Sequence, residues 1–401
     1  MIKYEISNYL LVQLLRILMI KSLLIILTVV LSLSALTPEE QMAKFEAMKK
    51  SQDSAFKNYK ESMDEAFKDY KKELKKYWDT PELSTKKEWV SYSKDKKSRS
   101  KVDFENDTLT VEVIAKSPQE AKKKLQQRVA YAVSKDTKEV VATDELQHEV
   151  SKISQQSDRV NAQIDAKPIL STVIFKKKPT QRDVKNFSQY IVQKSKIVKK
   201  PSKKAHESVY KVTIKLPKNS KIKRSEVYKR DVFKNAQRFK LPPELVFAIM
   251  QTESDFNPFA KSHIPAFGLM QIVPRSAGRD TYKFLFKKKG MPSATYLYNG
   301  KNNIEMGSSY LYILYYRYLR KIKNPQSRLY CTIAAYNTGA GNIAWAFTHK
   351  TNMNKAAPKI NAMSSDAVYR KLLSSLKYDE PKHYLKRVTK RMKVFKKAYK
   401  L

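Results

Sequence analysis

The chain has 401 residues, enough for two or three domains with sizeable cores, and its 42% apolar and 11% aromatic content with only 7 glycines excludes an unfolded low-complexity polymer. A formal net charge of +42 points to an anionic polymer or surface as partner, but the excess is mostly lysine, runs through nearly every segment and accompanies no base-reading motif, so no specific nucleic acid is expected. A single cysteine, Cys331, excludes an internal disulfide framework and a cysteine-ligated zinc site, and five scattered histidines form no His-x-x-x-His pair, so neither metal nor other cofactor is expected.

Residues 1–36 read as an export signal, with Met19 as an alternative start. From Met19 the sequence runs MIKSLLIILTVVLSLSALTPEE, a basic flank, an apolar core and small residues at Ser32, Ser34 and Ala35. The run from Ser22 to Ala35 is shorter than the roughly 20 residues a spanning helix needs, so cleavage near Ala35 is expected. No cysteine follows it, and no lipid-modified amino terminus is expected.

Residues 38–77 carry Met42, Phe45, Met48, Phe56, Tyr59, Met63, Phe67 and Tyr70 mostly at three- and four-residue steps, the pattern of an amphipathic helix or helical pair. Strands are expected at Trp89–Tyr92, Val102–Phe104, Leu109–Ile114, Ile169–Phe175 and Val209–Ile214, a helix opening at the capping-box spacing Ser117–Glu120, and a mobile basic stretch around Lys194–Lys204. Residues 37–218 therefore read as an α+β domain. Residues 219–401 read as an all-α domain, with helices over Val227–Phe239, Pro243–Glu253 and Ile304–Leu319, and a last helix striped by Leu385, Val388, Met392, Phe395 and Tyr399.

The chemistry is concentrated between Leu241 and Gln271. Pro242 and Pro243 suit a helix start, and Leu245, Val246, Ile249 and Met250 form its buried stripe. Glu253 follows Ile249 by four residues and Met250 by three, so it falls on the same stripe at the helix end. A carboxyl group desolvated there is held protonated to higher pH, as a general acid needs. Asp255 would point elsewhere if the helix continued, which makes it a poor second carboxylate.

Glu253-Ser254, Phe256-Asn257-Pro258, Ser262, Gly268-Leu269-Met270-Gln271, Asn303-Ile304, Gly307, Tyr310-Leu311, Ala335-Tyr336-Asn337, Thr338-Gly339-Ala340-Gly341-Asn342 and Tyr384, in that order, resemble the catalytic domain of goose-lysozyme-like lytic transglycosylases. The resemblance covers most of residues 240–390 and implies a lysozyme-like fold. It implies Glu253 as the catalytic group, Tyr384 as the tyrosine that orients it, Ser262 near the reacting muramic acid, and Tyr336 and Asn337 as glycan contacts. By residue type, Gly268 would admit the backbone close to a sugar, Met270 would give an apolar contact or simple packing, and Gln271 would bond hydroxyls or acetamides. Trp89–Tyr92, Ser98-Arg99-Ser100 and Val102–Glu105 resemble the amino-terminal domain of the membrane-bound lytic murein transglycosylase C type, outer-membrane lipoproteins whose anchoring cysteine this chain lacks.

These resemblances imply an enzyme acting on peptidoglycan glycan strands and associated with the outer membrane without a lipidated cysteine; the export signal places it in the periplasm, and the charge alone suggests attraction to anionic envelope polymers. A hydrolytic glycosidase sets two carboxylates across the bond, whereas only Glu253 stands in these motifs. The expected reaction is cleavage of the bond between N-acetylmuramic acid and N-acetylglucosamine by Glu253 as acid then base, leaving a 1,6-anhydromuramoyl end, by exo- or endotransglycosylation. The alternatives are a hydrolytic lysozyme and a noncatalytic peptidoglycan-binding protein.

Overall fold

The computed structural model describes residues 57–58, 60–155, 162–262 and 266–401. The export segment and Met42, Phe45, Met48, Phe56 and Tyr59 of the first stripe lie outside the described residues. The stripe continues in a helix over 60–74 (α1), where Met63 is buried.

Alternating apolar residues then build a sheet from β1 (Glu88–Tyr92), β2 (Ser98–Asp103), β3 (Thr108–Ala115), β4 (Val198–Pro201) and β5 (Ser208–Lys215). It is antiparallel throughout, in the order β1-β2-β3-β5-β4. Central β3 is buried along nearly its whole length, while β5 alternates inside and outside. Residues 198–201, expected within a mobile basic stretch, form the exposed edge strand; their pairing is backbone bonding to Ser208–Lys211, which lysine side chains facing water do not oppose.

Helix α2 (Pro118–Ser134) covers the sheet with Ala121, Leu125, Val129, Ala132 and Val133. Ser117 caps it by accepting from the Glu120 amide at 3.2 Å, and Glu120 reaches back to the Lys116 amide. Helices α3 (Thr137–Thr143), α4 (Glu145–Gln155), α5 (Ser171–Ile174) and α6 (Gln181–Lys194) complete this half. The run Ile169–Phe175, expected as a strand, is mostly α5: a short apolar run has no period that distinguishes strand from helix.

From residue 220 onward the described structure is helical: α7 (Ser220–Glu226), α8 (Lys229–Arg238), α9 (Pro243–Ser254), α10 (Arg279–Phe286), α11 (Ala294–Tyr298), α12 (Gly300–Ile313), α13 (Pro325–Thr338), α14 (Ala340–Thr348), α15 (Met353–Asn361), α16 (Ser365–Ser375) and α17 (Asp379–Tyr399). The chain as a whole is α+β, as expected. Helix α9 is buried from Leu245 to Ser254 and packs on α17, where Phe247 stacks against Phe395 and Tyr399 with ring centroids 5.3 and 4.7 Å away. The two halves share a core, for Phe259, just beyond α9, packs against Trp89 of β1 at 5.8 Å among the buried residues of the sheet. Lys60–Leu401 form one compact unit.

Candidate active site

Helix α9 begins with Pro243 in its first turn, where a missing N–H costs nothing, and ends because Asp255 and Phe256 take left-handed backbone angles, φ 49° and 66°. Such angles in non-glycine residues persist only when neighbours hold them. Here Arg224 Nε donates to the Asp255 carbonyl at 3.2 Å and Ser254 Oγ accepts from the Phe256 amide at 3.2 Å.

Glu253 stands at this end, only 8% exposed. Tyr384 Oη, from the second turn of α17, donates to its Oε1 at 2.7 Å, and Lys86 Nζ lies 4.0 Å from its Oε2. Burial pushes the Glu253 carboxyl above its ordinary value. Lys86, the Tyr384 hydrogen bond and Lys87 oppose that rise, and Glu380 adds to it. Burial, with the Glu253 charge next in weight, holds the Tyr384 phenol well above its usual range, so it remains a donor.

The turn Gly268–Gln271 is pinned from three sides. Ser254 Oγ donates to the Leu269 carbonyl at 2.8 Å, tying the turn to α9. Asn303 accepts from the Met270 amide at 2.8 Å and donates to the carbonyls of Phe267 and Leu297, each at 2.8 Å. Tyr336 Oη, at the end of α13, donates to the Met270 carbonyl at 2.8 Å, and its phenol is held high by burial and then by Glu253.

This scaffold gives several expected site residues a local task. Gly268 has φ +74°, and a Cβ there would fall 2.3 Å from the Leu297 carbonyl oxygen and 2.4 Å from Asn303 Nδ2. The close approach that requires glycine is therefore by the protein's own backbone. Met270 is fully buried, and a Cβ on Gly307 would meet its sulfur at 2.2 Å, so its side chain packs into the notch left by that glycine. Gln271 Nε2 donates to Ala260 and Gly268 carbonyls at 2.9 and 3.0 Å, while its buried Oε1 has no hydrogen-bond partner among the described residues. Ser262 lies half-buried, its amide donating to the Ala266 carbonyl at 3.3 Å; Asn337 is half-buried beside Tyr336. Glycine at 339, with φ +84°, lets the chain turn into α14.

That the sheet half reaches this site has no signal in the local pattern of residues. Asn257 Nδ2 donates to the carbonyls of Thr85, Lys86 and Glu88 at 3.2–3.3 Å, gripping the loop that leads into β1. Lys87 Nζ from that loop donates to the carbonyls of Gln251 (3.0 Å) and Thr252 (2.8 Å) and to Asp255 Oδ2 (2.7 Å). Asp255 is thus sealed and paired, not open to a cleft. Among 80 Lys and Arg residues, Lys86 and Lys87 offered no contrast; the available signal was Asn257, just beyond α9 in Phe-Asn-Pro. Among the described residues, no group of three or more His, Cys, Asp or Glu could hold a metal ion.

The family model of the transglycosylase SLT domain matches residues 231–358, and that of the membrane-bound lytic murein transglycosylase C N-terminal domain matches 56–227. A protein named membrane-bound lytic murein transglycosylase C from Serratia proteamaculans (strain 568) is 34% identical over 314 residues, 77% of this chain and 82% of its own length. The chain belongs to the membrane-bound lytic murein transglycosylase C family. Proteins of the same name from Sodalis glossinidius and Klebsiella pneumoniae are each 33% identical, covering 77% and 78% of this chain and 83% of their own. Among solved structures, an inactive lytic transglycosylase Slt variant from Pseudomonas aeruginosa aligns at TM-score 0.36 and 16% identity, over 69% of this chain and 36% of its own. The 70 kDa soluble lytic transglycosylase of Escherichia coli aligns at 0.32 and 18%, over 70% and 47%. Within this family member, Glu253 and the Gly268–Gln271 turn fall in the SLT match, Lys86 and Lys87 in the N-terminal match, and Tyr384 beyond both.

Proposed function

We propose that this chain cleaves the β-1,4 bond between N-acetylmuramic acid and N-acetylglucosamine in peptidoglycan, giving a 1,6-anhydromuramoyl end, with Glu253 as acid and then base. The observation that carries this reading is the buried Glu253 carboxyl, tied to Tyr384 and held above its ordinary pKa, while the buried Asp255 two residues on is bound up by Lys87. Glu253 donates its proton to the glycosidic oxygen as the C1–O bond breaks. The resulting carboxylate takes the proton of the muramoyl C6 hydroxyl as that oxygen bonds to C1, and no water is consumed. Tyr384 fixes the carboxyl rotamer through both steps, which is positioning catalysis in a partly dry site.

Ser262, Gly268, Met270, Gln271, Tyr336 and Asn337 are read as the glycan-binding wall, with Gly268 and Met270 shaping it from behind and Gln271 Oε1 the free acceptor. The division into an export signal (1–36), an α+β domain (37–218) and a lysozyme-like domain (219–401) belongs to this reading. The relatives' printed names speak for attachment to the envelope, and the charge of +42 for retention on its anionic polymers.

Digestion of purified peptidoglycan by the parent and by Glu253→Gln, followed by mass analysis of the muropeptides, tests the reading. Products lighter by one water from the parent alone support it. Products with a reducing end would make the chain a hydrolase, and binding without release would make it a noncatalytic peptidoglycan-binding protein.

A further inference from the structure

We propose that Lys86, carried into the active site on the Thr85–Glu88 loop of the sheet half, is a positioning residue for Glu253, steadying the carboxylate in the interval between its two proton transfers. This rests on the acid–base reading above.

The geometry divides the carboxyl between two partners. Tyr384 holds Oε1 from α17, and Lys86 Nζ stands 4.0 Å from Oε2, outside hydrogen-bond length but inside the range where a charge is felt. The Lys86 side chain is 46% exposed, so it can close that gap without leaving another ion pair. Its backbone, by contrast, is fixed. Asn257 grips the carbonyl of Lys86 itself along with those of Thr85 and Glu88, and the next residue, Lys87, is bonded to three oxygens at the end of α9. A flexible cation on a rigid mount is thereby aimed at the one oxygen that Tyr384 leaves open.

The reaction needs such a group at one moment. When the Glu253 proton leaves for the glycosidic oxygen, a buried anion is created and persists until the C6 hydroxyl proton replaces it. Burial disfavours that anion. The other groups facing Glu253 cannot take the part: Lys87 is engaged with Asp255 and two carbonyls, Tyr336 donates to Met270, and Glu380 at the start of α17 carries the wrong sign. Arg391 of α17 interacts with Asp255 and Tyr384. Lys86 is the charged group opposing the effect of burial most strongly.

The test uses the full chain, with Lys86→Met and Lys86→Arg, following anhydromuropeptide release across pH. Removing the cation takes away the strongest opposition to burial and leaves only Tyr384 and Lys87, so Glu253 stays protonated to higher pH. The basic limb of the kcat/KM profile is expected to move upward in Lys86→Met, while kcat on the plateau falls about tenfold, a part of the ~10²–10⁴ that a positioned proton-transfer group contributes. KM stays near the parent value, and Lys86→Arg restores both limb and kcat. Because the residue is partly exposed, both variants should unfold with the parent, which a thermal melt checks. If Lys86→Met superimposes on an active parent, the proposal is overturned while the role of Glu253 stands. If only KM rises, Lys86 is a substrate contact and the proposal is again overturned. A parent that releases no anhydro product removes the acid–base reading and this proposal with it.

Discussion

Lys87 Nζ and Asp255 Oδ2 lie 2.7 Å apart, joining the sheet half of the chain to the residue that ends α9, the helix of Glu253. The same ammonium bonds the carbonyls of Gln251 and Thr252 in the last turn of the helix, where the Gln251 carbonyl also accepts from the Asp255 amide. A cation at a helix carboxyl end is favoured by the helix dipole, and here another part of the fold delivers it. Burial draws the Lys87 ammonium below its usual pKa while Asp255 pulls it back up, the signature of a pair formed away from water. Arg224 completes the joint, donating to the Asp255 and Phe104 carbonyls and to Asp107 Oδ1. The first domain is therefore built into the position of Glu253, two residues away.

Removing one member of such a pair strands the other. Lys87→Met should destabilise the fold by about 3–5 kcal/mol, measured by urea unfolding, because the buried Asp255 carboxyl and two helix-end carbonyls lose their ammonium partner. Asp255→Asn tolerates the left-handed backbone and removes the stranded charge, so Lys87→Met with Asp255→Asn should recover part of the loss. A single variant as stable as the parent would mean that the joint is not structural.

Tyr384→Phe removes the hydrogen bond to Glu253 Oε1 and little else, since the ring stays buried. Hydrogen bonds to charged groups contribute about 1.5–3 kcal/mol, so kcat should fall roughly ten- to a hundredfold with KM little changed. The bond also lowers the Glu253 pKa, and its loss should carry the basic limb of the pH profile upward. A fall in kcat with an unmoved limb would indicate that Tyr384 acts on geometry alone.

The raised Glu253 pKa has a cost in stability, and its sign is fixed by linkage. A carboxyl held above its ordinary 4.5 favours the folded state fully below that pH, and loses the contribution as pH rises through its folded value. Glu253→Gln carries no charge to bury. Its melting temperature should exceed the parent's at neutral and higher pH, and the difference should shrink as pH falls below 4.5. Parallel melting curves across pH would show that the parent carboxyl is not penalised by burial.

Much of this was legible in the sequence because it depends on local periodicity. Strand β3 follows from the alternation of Leu109–Ile114, and β5 from the β-rich run Val209–Ile214. Helix α9 and the burial of Glu253 follow from a stripe of apolar residues continued by one turn, and Leu385, Val388 and Phe395 of α17 are buried as their spacing requires. What was hidden depends on contacts far apart in the chain. The edge strand Val198–Pro201 is set by its partner, not its composition. Lys86 and Lys87 meet α9 across more than 160 residues, and only the fold distinguishes them from the lysines on every other surface. Gly268 reads by type as a cleft residue and Met270 as either an apolar contact or packing; their immediate reasons are Asn303, Leu297 and Gly307, invisible without tertiary structure.

Those reasons can be separated by substitution. At Gly268 a methyl group would meet the Leu297 carbonyl oxygen at 2.3 Å and Asn303 Nδ2 at 2.4 Å, in a backbone conformation, φ +74°, that alanine resists. Neither neighbour can yield, since one is main chain and the other makes three hydrogen bonds that shape the turn. Gly268→Ala should therefore cost about 3 kcal/mol or more, combining overpacking with left-handed strain. At Gly307 the obstacle is the end of the flexible Met270 side chain, sulfur at 2.2 Å and terminal methyl at 2.7 Å. Gly307→Ala should cost about 1–3 kcal/mol and recover part of it when combined with Met270→Ala, which removes both atoms. Urea unfolding of the four proteins measures these differences. If Gly268→Ala instead folds like the parent and only raises KM, the glycine serves the sugar and not the turn.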